Sequence, residues 1–420
     1  MKFSFYGGAR EVGRSAILLE TGAMRIMLDY GVKLDGETEY PLPFEGLLDA
    51  MIISHAHLDH SGYVPHYFAE ADVPIYMTPP TLDLSELLWK DMINVARRKG
   101  QAPPYTKENV HDAKIHTVVQ DYYELTPLSP TVSFEFYDAG HIPGASLTKL
   151  YTPEGTVLYS GDFKIESTRL HVGADLSNVE ADVLIIESTY ADKDHPPRVD
   201  LEKQFVEDVK KTLEEGGFVL LPVFAVGRAQ EIVDILVSHR VGPIYFDGMA
   251  RKATKIILRH PEYISNPLRL KKAMRKVHWI KGERDREKAL REPAVIVSTA
   301  GMLQGGPILT YILNLRNDPR SKIIFTGYQV EDSPGRRVLE EGILEADGYE
   351  FRLKTQVQYY DFSAHAGRSE LFELARRSNA EYVIVVHGDE PNAVRLAEEL
   401  REEGFETFAP KLGEHIEIKP

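Results

Sequence analysis

Three imidazoles and a carboxylate fall within six residues in Ser54-His55-Ala56-His57-Leu58-Asp59-His60, directly behind the apolar run Met51-Ile52-Ile53. Neutral imidazole and carboxylate are donors that zinc accepts, and one short loop can aim them at two neighbouring ions. Further candidate ligands repeat one arrangement, an apolar strand followed by a polar residue. His141 stands in Asp138-Ala139-Gly140-His141-Ile142-Pro143-Gly144, Asp162 follows Val157-Leu158-Tyr159-Ser160-Gly161, and His387 follows Tyr382-Val383-Ile384-Val385-Val386. Strand ends on one rim of a sheet meet in space, so residues distant in sequence can share a site. Asp162 alone reads first as a turn residue; beside the cluster it reads as a ligand. Two zinc ions need roughly six or seven protein ligands and a shared water. His55, His57, Asp59, His60, His141, Asp162 and His387 supply that number.

Supporting residues are visible behind these. Asp29, in Leu28-Asp29-Tyr30-Gly31, could orient a ligand imidazole through its other ring nitrogen, and reads equally as a turn Asp before Gly. Glu187 and His365 would make an acid–imidazole pair. A carboxylate that holds and charges an imidazole creates a proton donor for a leaving oxygen.

The elements that must position these residues change character along the chain. The first part is β-rich, with short apolar runs at 2–6, 15–20, 25–29 and 50–54, helices expected near 62–69 and 80–99, and strands again at 132–138, 146–151, 156–160 and 183–186. After about Tyr190, strands at 218–222, 244–247, 294–298 and 322–325 alternate with helices at 199–214, 227–239 and 249–259. That alternation is the mark of βαβ units around a mostly parallel sheet. A long strand is expected at 352–362, then a helix and the buried strand 382–386. The expected organisation is therefore an α/β cassette, residues 191–355, inserted between 1–190 and 356–420 of a β-rich domain.

Composition narrows the classes. At 420 residues, with 43% hydrophobic and 27% charged residues, the chain suits a soluble protein of two lobes. No run is long and apolar enough to span a bilayer, and the N-terminus lacks a signal-peptide core, so a cytoplasmic protein without membrane partners is expected. With no cysteine, disulfides, thiolate nucleophiles and Cys-bound zinc are excluded. The net charge of −15 argues against a general polyanion coat-binder, though local patches and metal ions still decide contacts at a site.

These motifs make the chain resemble a metallo-β-lactamase-fold nuclease of the β-CASP family. The histidine cluster, His141 and Asp162 match the superfamily's metal motifs; Glu187 in Glu187-Ser188-Thr189-Tyr190, His365, and His387 in His387-Gly388-Asp389 match the three further β-CASP motifs in order and spacing. The resemblance covers essentially the whole chain. It implies an αββα sandwich carrying an inserted α/β β-CASP domain, and two zinc ions per chain. His55, His57 and His141 would bind one ion, Asp59, His60 and His387 the other, with Asp162 bridging. It further implies that a hydroxide held between the ions, oriented by Asp59, attacks a phosphodiester in line, while His365, held by Glu187, binds or protonates the departing side. Tyr30 departs from the family pattern, where small residues or Cys are commoner, and is expected to alter packing rather than metal binding. A histidine at position 387 is similar to the RNA-cutting members. The surroundings of the cluster, through Tyr63-Val64-Pro65, look like the branch of the endonuclease subunit of the cleavage and polyadenylation specificity factor and its prokaryotic relatives.

The implied partner is single-stranded RNA, cut internally with or without 5′-to-3′ exonuclease activity, by a homodimer that works with RNA-processing proteins. A processive 5′-to-3′ exoribonuclease, a small-molecule hydrolase and a silent scaffold are the alternatives. For the RNA backbone, the segments 225–231 and 298–302 each follow a strand and open a helix or Gly-rich turn, offering Arg228, Ser298, Thr299 and Gly301 to a phosphate or serving as structural caps. A basic run from Arg251 to Arg291 is densest at Lys271, Lys272, Arg275 and Lys276 and reads equally as a solvated face. Trp89 and Trp279 read as core residues before base-stacking ones.

Overall fold

The computed structural model describes residues 1–34, 37–330, 333–346 and 348–419. The chain divides into two compact units, one of residues 1–167, 171–194 and 364–420, the other of 168–170 and 195–363.

The first unit is built on two seven-stranded sheets. One runs His415–Glu417, Lys2–Gly7, Ala16–Thr21, Met24–Leu28, Ala50–Ile52, Ile75–Met77, Thr117–Val119; the other runs Glu406–Phe408, Tyr382–Val385, Val183–Ile186, Gly155–Tyr159, Ser146–Thr152, Ser133–Asp138, Thr126–Pro127. Side-chain alternation explains why they stack. Ile17 and Leu19 join Phe3, Phe5, Phe134, Phe136, Val157 and Ile185 in the core between the sheets. Leu18, one residue out of phase, joins Met27, Met51, Trp89 and Ile93 beneath the helix Pro79–Arg98 on the outer face. Both faces of such a strand are covered, so its sequence reads as a continuous apolar run. Helices Arg368–Ser378 and Glu390–Glu402 pack against strands of the second sheet, completing an αββα sandwich.

Parallel register sets the rim. Gly155–Tyr159, Val183–Ile186 and Tyr382–Val385 are parallel neighbours, with Tyr159 beside Ile185 and Ile186 beside Val385. Asp162, Glu187 and His387 therefore leave the second sheet at one end. In the first sheet Met24–Leu28 and Ala50–Ile52 are also parallel, which puts Asp29 beside the start of the histidine cluster. The Ser146 N–H donates to the Ser54 carbonyl at 2.9 Å and ties the two rims together.

The second unit holds a six-stranded parallel sheet in the order His278–Trp279, Ile244–Asp247, Val295–Ser298, Val219–Pro222, Lys322–Phe325, Gln356–Tyr359. The long strand expected at 352–362 is instead two short ones. Tyr349–Arg352 pairs antiparallel with Ile343–Ala346, whereas Gln356–Tyr359 runs parallel to Lys322–Phe325. The break is enforced by the backbone, since the Leu353 and Lys354 N–H groups donate to the Gly342 and Arg316 carbonyls. The helix expected near 62–69 is likewise split, into Leu58–Ser61 and Val64–Tyr67. Pro65, which cannot donate to a preceding turn, sits in the first turn of the second. Among the described residues no helix is long and apolar enough to cross a membrane.

Candidate metal centre

All the expected ligand residues lie in the first unit and converge. Three donor atoms, His55 Nε2, His57 Nδ1 and His141 Nε2, surround one point, with His57 Nδ1 3.2 Å from each of the other two. Asp162 Oδ2 completes the set, 3.5 Å from His55 Nε2 and 3.7 Å from His141 Nε2. A second set comprises His60 Nε2, 3.3 Å from Asp162 Oδ1, His387 Nε2, 3.6 Å from the same oxygen, and Asp59 Oδ2, 3.7 Å from His387 Nε2 and 3.9 Å from His60 Nε2. Tetrahedral donors about 2.1 Å from a zinc ion stand about 3.4 Å apart. Both sets are thus of the right size, and the two oxygens of Asp162 are divided between them.

Hydrogen bonds fix which ring nitrogen carries the proton. His141 Nδ1 donates to the Ala364 carbonyl at 2.8 Å, an acceptor only, so its Nε2 presents a lone pair. His60 Nδ1 lies 2.6 Å from Asp29 Oδ2, and His55 Nδ1 lies 3.1 Å from Ser54 Oγ, whose own proton goes to Asp29 Oδ2 at 2.7 Å. His387 Nδ1 lies 2.9 Å from Ser15 Oγ. Lone pairs crowded this closely repel one another unless a cation lies between them. His60 Nε2, His387 Nε2 and Asp162 Oδ1 are moreover buried without a hydrogen-bond partner, a costly state that a metal ion would relieve. The donor set therefore fits a divalent metal.

The electrostatics agree. Burial, reinforced by neighbouring imidazoles, holds His55 and His141 well below the ordinary histidine value and lowers His57, leaving neutral rings able to ligate. Burial opposes charge on Asp162 too, but His60, His387 and His365 outweigh it and hold the carboxyl well below its usual range. At His60, Asp162, Asp29 and Asp59 overcome burial and favour a positive charge, the charge a cation would bring.

The local chain explains how these side chains are held. The turn Leu58–Ser61 presents Asp59 and His60, and the fully buried Trp89, a core residue as expected, anchors it by donating from its indole nitrogen to the Ser61 carbonyl at 2.8 Å. Asp29 and His387 both adopt left-handed backbone, with φ of 57° and 47°. Such a conformation costs roughly 1–2 kcal/mol and is tolerated best by Asn, Asp and His. At Gly31 a side chain would meet the Asp59 carbonyl oxygen at 1.8 Å, so only glycine lets the two loops approach. Tyr30 is buried and packs its ring against Phe44 and Tyr63, placing it in an aromatic cluster.

His365 stands beside this centre, its Nδ1 3.0 Å from Glu187 Oε2 and 3.8 Å from Asp162 Oδ2. Burial disfavours its charge, yet Glu187 and then Asp162 push it up to about 9. Two supports escaped the reading of the sequence. The Ser15 hydroxyl holds His387, while its backbone N–H donates to the Asp59 carbonyl at 2.8 Å. Glu370 accepts from Lys164 Nζ at 2.6 Å and from the Ile165, Glu166 and Gly367 N–H groups at 2.9, 2.7 and 2.8 Å, clamping the loop after Asp162 to the helix after His365.

The residues suggested for RNA lie in the second unit. Arg228 is buried against Glu231, which also meets Arg198. Thr299 Oγ1 accepts from the Met249 N–H at 3.2 Å, Gly301 accepts through its carbonyl from Gln329 Nε2 at 3.3 Å, and Ser298 is buried at the end of its strand. Val219–Pro222 and Val295–Ser298 are parallel neighbours, so the loops that follow them emerge side by side. Lys271 and Lys272 are exposed on the helix Pro267–Met274, which packs against the helix Arg228–Ser238. Trp279 is half-buried and donates to the Met274 carbonyl at 2.9 Å.

This sandwich, with a dinuclear-sized donor cluster at the strand ends and an inserted parallel α/β unit, defines a metallo-β-lactamase-fold hydrolase. Residues 10–197 match the Metallo-beta-lactamase superfamily, 229–338 the Beta-Casp domain, and 350–410 the Zn-dependent metallo-hydrolase RNA specificity domain. The chain is 42% identical to the Probable RNase MJ4 of Methanocaldococcus jannaschii over the full length of both. It is 36% identical to the RNase aCSPSF2 of Saccharolobus solfataricus over 98% of this chain and 84% of that one. Similarity to the Transcription termination factor FttA of Pyrococcus abyssi is 38% over 98% of this chain and 70% of that one. A solved structure, a protein of unknown function from Enterococcus faecalis V583, shares the fold with a TM-score of 0.62 at 15% identity, covering 99% of each chain. The chain belongs to the β-CASP family of metallo-β-lactamase-fold, metal-dependent ribonucleases, alongside these archaeal relatives.

Proposed function

We propose that this ribonuclease holds two zinc ions and cuts single-stranded RNA internally. His55, His57 and His141 with Asp162 Oδ2 would hold one ion, and Asp59, His60 and His387 with Asp162 Oδ1 the other. The observation that carries this reading is the division of the two Asp162 oxygens between two sets of buried donors. When bound, the ions supply positive charge that polarises a phosphodiester and makes water more acidic.

The remaining work falls to the chain. Asp59, whose side chain keeps 33% exposure while those of His60, Asp162 and His387 keep almost none, orients the attacking water. His365, whose Nδ1 engages Glu187, gives a proton to the departing oxygen. Glu187, fully buried and anchored by the Phe163 N–H at 3.0 Å, keeps that ring charged and in place. A small-molecule hydrolase would leave this acid–imidazole pair without a task. The names of the relatives suit a role in RNA processing or transcription termination. The loops carrying Arg228, Ser298, Thr299 and Gly301 are proposed to meet the RNA backbone through their amides, since the Arg228 guanidinium already serves Glu231.

Metal analysis together with 5′-labelled, 3′-labelled and circular RNA tests the reading. Two zinc ions per chain and opening of the circle are expected. Decay of linear RNA from its 5′ end with circles left intact would replace the internal mode with an exonucleolytic one. Asp59→Ala, or prolonged chelation, should abolish cleavage with the circular dichroism of the fold retained; full activity in either case refutes the two-zinc mechanism.

A further inference from the structure

Charge is unevenly distributed along this acidic chain. Across 251–281 it carries ten Lys and Arg residues and one acid, Glu262, against a net charge of −15 for the whole. Arg251 and Arg269 are engaged, Arg251 with the Gly248 and Ile280 carbonyls and Arg269 with Asp234. Lys252, Lys255, Lys271, Lys272, Arg275, Lys276 and Lys281 are all exposed, and among the described residues no carboxylate lies within ion-pair distance of any of them. Several surface cations elsewhere are paired: Arg336 with Glu340, Arg337 with Glu350, Arg376 with Glu403, Arg377 with Glu373. A chain with 64 acids and 49 bases has carboxylates to spare, so seven cations clear of them between 252 and 281 are a local concentration of free positive charge.

The seven lie on connected elements. Lys252 and Lys255, three residues apart, share one face of the helix Ala250–Ile257. Arg251, second in that helix, reaches the Ile280 carbonyl next to Lys281. Lys271 and Lys272 lie in the last turn of the helix Pro267–Met274, and Arg275 and Lys276 lead from it into the edge strand His278–Trp279. Lysines beside a sheet edge can serve only to deter strand pairing, but four of these stand on helices, where no such need exists.

We infer that this basic face of the second unit is a docking surface for the phosphodiester backbone of RNA, holding the substrate through charge rather than sequence. The inference rests on the ribonuclease reading above and adds to it a second grip on the same polymer. Six of the seven cations are lysines, compact charges on flexible stems that suit phosphates at variable positions, whereas carboxylate recognition favours the rigid fork of arginine. Leu268, 79% exposed, is the one large apolar side chain bared within the run among the described residues. A protein partner would ask for a larger apolar centre.

The test is RNA binding by the full chain carrying Asp59→Ala, so that the RNA survives, with an unstructured oligouridylate across a salt titration. Adding Lys271→Gln, Lys272→Gln, Arg275→Gln and Lys276→Gln should weaken binding at least about tenfold. It should also flatten the dependence of log K on log salt by up to about 3, at about 0.7 per lost phosphate contact. The unfolding temperature should not move, because every replaced side chain is exposed. A control that removes the same charge from paired cations, Arg336, Arg337, Arg376 and Arg377 to Gln, should change affinity and slope little. Indistinguishable behaviour of the two variants overturns the proposal, and so does intact RNA binding with lost capture of polyglutamate, which would assign the face to an acidic protein. If the unaltered protein cuts no RNA while the lysine variant still loses binding, the cleavage reading fails and the docking surface stands.

Discussion

Replacing Asp29 by Asn changes one atom and should disturb both metal sets. The carboxylate is fully buried and accepts four hydrogen bonds: at Oδ1 from the Ser54 N–H, 2.7 Å, and at Oδ2 from Ser54 Oγ, His60 Nδ1 and Tyr159 OH, at 2.7, 2.6 and 2.6 Å. An amide has one acceptor oxygen. If its nitrogen faces Ser54, two N–H groups confront each other in a buried place, at a cost of about 1–3 kcal/mol. If it faces His60, the ring must offer a lone pair at Nδ1 and move its proton to Nε2, the atom 3.3 Å from Asp162 Oδ1 that is proposed to hold zinc. Losing a partner of this kind typically costs 10–100-fold in metal affinity, or about 1.4–2.8 kcal/mol. The two routes are of similar cost, so neither offers an escape. Asn also tolerates the left-handed backbone at this position, so strain is not a confounding cause. Zinc titration against a competing chelator should show the set containing His60 weakened at least about tenfold. The set containing His55 should weaken less, because Ser54 Oγ still lies against His55. Unchanged affinity at both sets, with an unchanged unfolding temperature, would refute the assignment of Asp29 as the group that orients these rings.

Two further substitutions address residues that the sequence did not flag. Ser15→Ala should lower zinc affinity about tenfold at the set containing His387 alone, and Ser15→Thr should restore it, because the hydroxyl 2.9 Å from Nδ1 fixes that ring; equal loss at both sets would count against this. Glu370→Ala removes the acceptor of four hydrogen bonds and should reduce stability by about 2–4 kcal/mol in denaturant unfolding. An unchanged midpoint would show that the clamp is dispensable.

The candidate ligands were legible because they obey a local rule. A strand ends and its next polar residue lies on the rim, so Asp162, Glu187 and His387 could be placed from apolar runs alone, and parallel register then brings them together. Ser15 follows no such rule: it lies 372 residues from His387, and a serine in a Gly-rich loop carries no sign of its distant partner. Glu370 is hidden differently, since an acid in the first turn of a helix already has an ordinary explanation in the helix dipole and cap. The strand at 352–362 was overread because β-rich composition continues through Leu353, Lys354 and Thr355, whereas the break is written in backbone hydrogen bonds to Gly342 and Arg316. The basic run was visible in sequence, but its lack of carboxylate partners was not, because pairing is a property of the folded surface.

The sheet order has a consequence in time. The strand Lys2–Gly7 is flanked by Ala16–Thr21 and by His415–Glu417, and the His387 N–H donates to the Gly8 carbonyl at 2.7 Å. Synthesis delivers the N-terminal portion first, so His55, His57, His141 and Asp162 exist long before His387 does. A product of interrupted translation that stops short of residue 387 has the first donor set but lacks one member of the second, and its opening strand still has a bare edge. Because the opening strand is paired from both ends of the chain, the full set of candidate ligands comes together only after the C-terminal part has been made.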